Sequence, residues 1–378
     1  MGRTYIGIDV FNAALERLEE AFGAGHRVVV SFSGGKDSTV TLELALIAAA
    51  NTGRGPVEVV MRDEEIMLPG TFEYCERVAA RDDVDLHWVI AGQPIVNAFN
   101  REQPYWWVFD QTLSEDEWVR KPPDFAYWIP DLNIERMITA ESFPPAEGRD
   151  LIVLMGLRGA ESRNRMFGTY SSKGWLTKVQ PAGYRKGRPI YDWSDGDVWK
   201  AIKDGGWDYS KAYDVMYRLG VSHRDLRIAP PTMRAASIQH LQVALKAWPQ
   251  WFDKVNQRCP GVRTAAQYGR RAVEPPRRPG ETWEQCYYRT CLSDAPDWIK
   301  ERSEIAMNFA LKRHAQHSTA PLPQVHNCPR CPSLGSWELL CKYLYMGDPF
   351  SFSLKDIPPV DPEYFRAGAG VWGGKATW

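Results

Sequence analysis

The 378-residue chain has almost no net charge, a single cysteine in its first 258 residues and no apolar run of membrane-spanning length. Each scarcity removes a class of function. Balanced charge (46 basic against 47 acidic residues, net −1) excludes a globally basic nucleic-acid binder and leaves only local patches. With no spanning run and no leader pattern at the N-terminus, no membrane partner is expected, and cytoplasmic residence is the expectation. No internal repeat is visible. What is present is a 44% hydrophobic and 25% charged composition, enough for a buried core in one large or two modest domains. Sixteen tryptophans, many beside Tyr and Phe, suit aromatic-lined clefts as well as core. Six of the seven cysteines (Cys259, Cys286, Cys291, Cys328, Cys331 and Cys341, against the isolated Cys75) fall after residue 258, which in a reducing compartment points to metal or redox chemistry before disulfides.

The most informative stretch is Ser33-Gly34-Gly35-Lys36-Asp37-Ser38. It follows the apolar run 27–32 and precedes a helix-like run from Thr39. A strand, a glycine turn and a helix start make an anion cradle. Paired glycines let backbone N–H groups approach a phosphate, and the helix N-terminus adds partial positive charge. Lys36 supplies a full charge, and Ser31, Ser33 and Ser38 supply hydroxyls. The spacing is not that of G-x-x-x-x-G-K-[ST]. An ordinary glycine-containing turn is the alternative, disfavoured because residue type, spacing and flanking elements agree.

Along the chain, 10–22 reads as an amphipathic helix, 27–32 as strand one, and the following helix runs to about Ala50. Strand two is 57–62, a helix covers 71–81, and strand three is 86–90. This βαβαβ rhythm predicts a Rossmann-like, mainly parallel open α/β sheet with helices on both faces and ligands at the carboxyl ends of its strands. Residues 92–150, rich in Trp, Tyr and Pro, break the rhythm and read as an insertion or helical lid. A strand returns at 151–156. Ser194 with Asp197 predicts a helix start, the helix running to about Lys203, with another at 210–219 stopped by Gly220. Residues 235–258 and 294–314 read as helical, with an exposed basic linker between them that includes Arg270, Arg271, Arg277 and Arg278. The expected division is a nucleotide-binding domain, 1–230, and a mostly helical, cysteine-bearing region, 231–378.

Four further constellations carry chemistry. Asp63-Glu64-Glu65 closes strand two, where carboxylates can hold Mg²⁺ against phosphates; Asp63 and Glu65 are the expected ligands, against a solvated loop end. Gly156 and Arg158, with Glu161, Ser162, Arg163 and Arg165, place guanidinium groups at another strand end, suited to bidentate phosphate or sulfate contacts; solvated surface arginines are the bland alternative. Lys186, Arg188, His223, Arg224 and Arg227 are candidates to complete an anion-binding wall. Cys328-Pro329-Arg330-Cys331 with Cys341 gives three thiolates; Cys291 or Cys286 supplies a fourth, and His326 is another candidate. An iron–sulfur cluster and zinc both satisfy this spacing, and buried free thiols are the third reading.

The loop, the strand-end acids, Gly156-Leu157-Arg158-x-x-Glu161-Ser162 and the 189–199 segment (Pro-Ile-x-Asp-Trp-x-x-x-Asp-Val-Trp) together resemble the phosphoadenosine phosphosulfate (PAPS) reductase branch of the pyrophosphate-loop, or adenine nucleotide α-hydrolase, superfamily. The resemblance covers roughly 20–230. The aromatic insertion and the late cysteines look closer to immunoglobulin-binding-regulator-like members and to DNA-phosphorothioation sulfurtransferase relatives. The latter resemblance implies an iron–sulfur cluster and ranks it above zinc, with Cys291, Cys328, Cys331 and Cys341 as ligands. It implies ATP or PAPS on Ser31, Ser33–Ser38, Gly156, Arg158, Glu161, Arg163 and Arg165, with Lys36, Asp37, Asp63 and Arg158 catalytic. One departure bears on activity: residues 342–378 contain neither the nucleophilic cysteine nor the histidine that sulfonucleotide reductases carry near the chain end. The leading expectation is therefore an ATP pyrophosphatase that adenylylates an acceptor and transfers sulfur to it. A nucleic acid is one candidate acceptor, bound by the aromatics of 104–128 and by Arg270–Arg278. PAPS reduction is the second expectation. A nucleotide-sensing regulator working with a ParB-like partner, implied by resemblance alone, is the third.

Overall fold

The computed structural model describes residues 7–129, 137–162, 165–168, 174–233, 237–329, 335–351 and 353–366. Its strands are β1 (Arg27–Phe32), β2 (Val57–Asp63), β3 (Val84–Ile90), β4 (Pro94–Val96), β5 (Tyr105–Trp107), β6 (Tyr127–Trp128), β7 (Leu151–Leu154), β8 (Leu176–Val179) and β9 (Tyr184–Gly187). The chain divides into two compact units, one of 1–93, 108–116 and 120–230, the other of 94–107, 117–119 and 231–378.

The first unit is an open, Rossmann-like sheet in the order β6-β3-β2-β1-β7-β9-β8, every neighbouring pair parallel except β8–β9. Its strands read as continuous apolar runs because both faces are covered. On one face pack α1 (Val10–Gly23), α2 (Lys36–Asn51), α3 (Phe72–Ala79) and α4 (Asp195–Gly205), through Leu18, Leu42, Leu44, Tyr74 and Ile202. On the other, Val29, Val60, Val89, Leu151 and Val153 meet Ile138 and Phe143. Helix α2 is buried almost all round: its apolar stretch runs from Leu44 to Ala50, and its first turns bury the polar Lys36, Ser38, Thr39, Thr41 and Glu43 as well. Each fully buried Leu there contributes about 1.5–3 kcal/mol relative to an exposed one. Helix α4 starts at the expected cap: Ser194 accepts from the Asp197 amide, Asp197 accepts back from the Ser194 amide, and Gly206 closes the helix at φ 63°. A short α5 (Ala212–Arg218) follows.

The chain runs outward from β1 through β2, β3 and β6, then returns to place β7 on the other side of β1. The sheet's topological switch point is therefore between β1 and β7, where such folds hold ligands.

The second unit contains helices at Ile238–Ala247, Pro249–Arg258, Val262–Tyr268, Trp283–Tyr287, Asp297–Ala315, Trp337–Leu344 and Glu363–Arg366, with the antiparallel pair β4–β5. Three expectations change. The described residues of 92–150 form short strands and a 3₁₀ turn (Glu115–Glu117) with no α-helix, which matches the insertion reading and not the helical one; Pro104, Pro122, Pro123 and Pro144 interrupt any longer helix there. The helix expected over 235–258 is two helices, broken where Pro249 starts the second. The expected linker is partly helical, and Thr282 with Gln285 caps one of its segments.

Candidate functional site

Between the carboxyl ends of β1, β2 and β7 lies a cleft of about 500 Å³, contained in the first unit. Ser31, Ser33, Gly35, Lys36, Asp37 and Ser38 line one wall. Gly34 turns the chain at φ 69°, and a Cβ there would lie 2.8 Å from Cys75 Sγ, so both conformation and space require glycine. Ser38 Oγ receives the Ser33 amide at 3.3 Å and donates to the Gly35 carbonyl at 2.9 Å, tying the loop to the first turn of α2. Gly35 caps α2 without a side chain. The Lys36 amide donates to the Tyr213 hydroxyl at 2.9 Å. The amides of Gly34, Gly35, Asp37 and Ser38 have no acceptor among the described residues. Unpaired N–H groups at a helix N-terminus form an anion site.

The β7 side meets the loop directly. At Gly156 a Cβ would stand 2.6 Å from the Asp37 carbonyl carbon and 2.8 Å from the Ser38 nitrogen. Arg158 is 4% exposed and does not line the cleft; it lies behind the loop, its Nε 2.5 Å from Asp37 and its Nη2 3.2 Å from Asp195. Glu161 and Arg165 line the cleft as an ion pair. Burial, reinforced by Arg227 and Arg158, pulls the Arg165 guanidinium below its ordinary value. Arg163 lies outside the described residues.

The strand-two acids separate. Asp63 is fully buried and accepts from Trp88 Nε1 at 2.8 Å, from the Glu65 amide at 2.9 Å and from Arg120. Glu65 is also fully buried and accepts from the Phe109 amide at 2.6 Å. Neither lines the cleft, so the expected magnesium ligands Asp63 and Glu65, and the expected catalytic Asp63, are corrected to buried organisers of the loop after β2. Glu64, passed over between them, is the acid that faces the cleft, paired with Arg62. Burial lowers Arg62 to about 10, and its Nη1 has no partner. Strand alternation is the sequence pattern that distinguishes 62 and 64 from 63. Arg227 and the 226–230 segment complete the opposite wall, with Tyr213. His223 and Arg188 do not line it. Nothing in the sequence pointed to Tyr213.

In the second unit, Cys286, Cys291 and Cys341 converge in a core with Tyr287, Trp337 and Leu340. Cys341 Sγ lies 3.7 Å from Cys286 Sγ, and Thr290 Oγ1 lies 3.6 Å from Cys291 Sγ and 3.8 Å from Cys341 Sγ. A π-helical turn, Tyr288–Ser293, carries Cys291, whose thiol donates to the Cys341 carbonyl at 3.9 Å, so Cys286 and Cys291 both meet Cys341. Burial and the neighbouring Cys341 push the Cys286 thiol up to about 12. Cys286, first held as an alternative to Cys291, thus joins it. Cys328 is half-buried, and Cys331 lies outside the described residues. Cys286, Cys291 and Cys341 are soft donors of the kind a thiolate-held centre uses, but their three sulfurs do not all lie within 4.8 Å of one another. Elsewhere, ligand atoms of Glu58, Asp85 and His87 lie within 4.8 Å of one another, but Glu58 is bound to Arg27.

The aromatics proposed for base stacking also separate. Tyr105, Trp106, Trp107 and Trp118 are buried, whereas Phe125, Tyr127 and Trp128 are exposed. No helix among the described residues is long and apolar enough to cross a membrane.

Comparisons with known proteins place the chain. The Escherichia coli K12 protein YbdN is 26% identical over 404 residues, covering 98% of this chain and 96% of the relative. Among solved structures, PAPS reductase from Candida auris aligns with a TM-score of 0.33 at 17% identity, covering 61% of this chain and 98% of that one. The U34-tRNA thiolase NcsA from Methanococcus maripaludis, with its [4Fe-4S] cluster, aligns with a TM-score of 0.33 at 14% identity, covering 71% and 82%. The phosphoadenosine phosphosulfate reductase domain matches residues 27–223, a span that opens on β1 and takes in the loop, Gly156 and α4. The chain therefore belongs to the phosphoadenosine phosphosulfate reductase domain family, a nucleotide-using branch of the pyrophosphate-loop enzymes.

Proposed function

We propose that the cleft binds ATP and that the protein activates an acceptor by adenylyl transfer before sulfur is delivered to it. The carrying observation is the cradle of unpaired amides at Gly34, Gly35, Asp37 and Ser38, with Lys36 beside it, at the switch point of the sheet. The pyrophosphate portion of ATP rests there. An acceptor oxygen attacks the α-phosphorus, the bond to the bridging oxygen breaks, and pyrophosphate leaves with its charge held by the amides and Lys36. A sulfur nucleophile then displaces AMP. Glu161 and Arg62, both lining the cleft, are the residues that orient the acceptor side.

PAPS reduction needs a thiolate at the sulfate. No cysteine is among the described residues lining this cleft. Cys75, next to Gly34, is fully buried, and burial pushes its thiol well above the ordinary range. This favours ATP over PAPS. We assign Cys286, Cys291 and Cys341, with Cys328, to an iron–sulfur cluster or zinc; such a centre would supply soft coordination of sulfide.

Two measurements test the reading. Supplied with ATP and Mg²⁺, the protein is expected to release pyrophosphate, and Lys36→Met to bind the α,β-methylene ATP analogue about 10- to 100-fold more weakly, the worth of one charge-assisted contact. Sulfite release from PAPS, or ATP binding without any product, would replace this reading with reduction or with nucleotide sensing. After anaerobic purification, iron with matching sulfide is expected, and Cys286→Ser or Cys341→Ser is expected to lower it; metal content unchanged in both variants would show that these thiols are not its ligands.

A further inference from the structure

Lys36, the cation of the loop, is not free. It is 4% exposed, and its ammonium lies among three protein oxygens: Asp37 Oδ2 at 3.3 Å, Asp195 Oδ1 at 3.4 Å and the Leu226 carbonyl at 3.4 Å. The ammonium donates to Asp37 and to the Leu226 carbonyl, and Asp195 holds it at ion-pair distance. Arg158, equally buried, joins the same group through Asp37 and Asp195. Two cations and two carboxylates make the group neutral before any ligand arrives. A phosphate that uses Lys36 competes with Asp195 for its charge.

The acceptors differ in how firmly they are held. Asp37 is the closer partner of Arg158, at 2.5 Å against 3.2 Å, and its backbone abuts Gly156. Asp195 stands at the first turn of α4, shares its Oδ1 between Lys36 and Arg158, and leaves Oδ2 buried without a partner. Its contacts, all longer than a good charge-assisted bond of about 2.8 Å, make it the weaker holder.

We propose that Asp195 is a specificity-determining residue of the nucleotide site, an internal competitor for Lys36 that a polyphosphate displaces and a monophosphate does not. The inference rests on the nucleotide-binding reading above. A pyrophosphate group brings more negative charge and more acceptor oxygens than the lone phosphate of AMP, and it also engages the loop amides, so it outcompetes one carboxylate. AMP engages too few groups to do so. The cleft thereby admits substrate and releases the AMP product of adenylyl transfer.

The test is a double-mutant cycle read by calorimetric titration with AMP and with the α,β-methylene ATP analogue. In the wild-type protein the analogue is expected to bind at least about 100-fold more tightly than AMP, the worth of two charge-assisted contacts. Asp195→Asn, which keeps the shape and removes the charge, is expected to tighten AMP about tenfold and the analogue about two- to threefold, narrowing the ratio. In Lys36→Met the same change is expected to alter neither affinity, because the competition has lost its object. Asp195→Ser is the second variant and is expected to give the same gain. A merely structural Asp195 predicts weaker binding of both ligands, and a simple charge effect predicts a gain that survives in Lys36→Met; either result overturns the proposal. So does a wild-type ratio near one, which needs no variant. Failure of the wild-type protein to bind either nucleotide instead overturns the ATP reading.

Discussion

Gly156→Ala is expected to weaken binding of an ATP analogue by on the order of 100-fold and to lower stability by roughly 1–3 kcal/mol, the usual cost of forcing an atom into a packed site. The added methyl would meet backbone: the Asp37 carbonyl carbon at 2.6 Å, its oxygen at 2.7 Å and the Ser38 nitrogen at 2.8 Å. No side chain can turn aside to make room. Helix α2 is buried along most of its length, so the strain falls on its first turn. That turn carries the amides of the cradle, and displacement of such groups by about 1 Å costs on the order of 100-fold. Titration with the α,β-methylene analogue and a thermal melt check both parts. An affinity within threefold of wild type would show that the cradle is not where the nucleotide binds.

Asp63→Ala is expected to cost about 3–5 kcal/mol, the penalty for removing one partner of a buried ion pair. It strips the acceptor from Arg120, from Trp88 Nε1 and from the Glu65 amide together. Arg120 also lies over the Phe72 ring at 4.0 Å, so its guanidinium is committed to this spot. Denaturant unfolding should show the loss directly, while Glu64→Gln, at the cleft-facing acid, should leave stability within about 0.5 kcal/mol. If Asp63→Ala unfolds like the wild type, Asp63 is not an organiser and its case as a catalytic carboxylate reopens.

Much of this site is legible in the sequence because local rules and the sheet agree. The apolar run 27–32, the paired glycines and the helix that follows leave one arrangement, and β1, the loop and α2 are found there. The α4 cap, Ser194 with Asp197, is equally local. What misled was Asp63-Glu64-Glu65. Alternation separates Glu64 from Asp63 and Glu65, but in a sheet covered on both faces it does not say which of the two directions opens on the cleft. Asp63 is decided by Trp88, Arg120 and the Glu65 amide; Trp88 and Arg120 are remote in sequence. Arg158 misled for a related reason, since its partner Asp195 arrives from a different crossover. The meeting of Cys286 and Cys291 with Cys341 brings together residues about 50 apart, one of them on a π-helical turn, which no spacing rule for α-helix or strand anticipates. By contrast, the break at Pro249 and the cap at Thr282 were readable by rules already in hand.

The second unit is discontinuous in sequence, and this sets a timetable for biosynthesis. The Tyr105 hydroxyl donates to the Val360 carbonyl, Trp106 Nε1 to Thr232, and the Trp107 carbonyl accepts from Arg258. These three aromatics leave the ribosome long before their partners do; Tyr105 waits for 255 further residues. At roughly 5–20 residues per second, that interval is on the order of tens of seconds. A nascent chain thus carries this aromatic hairpin without its later partners for most of its translation, and holdase chaperones should engage it there.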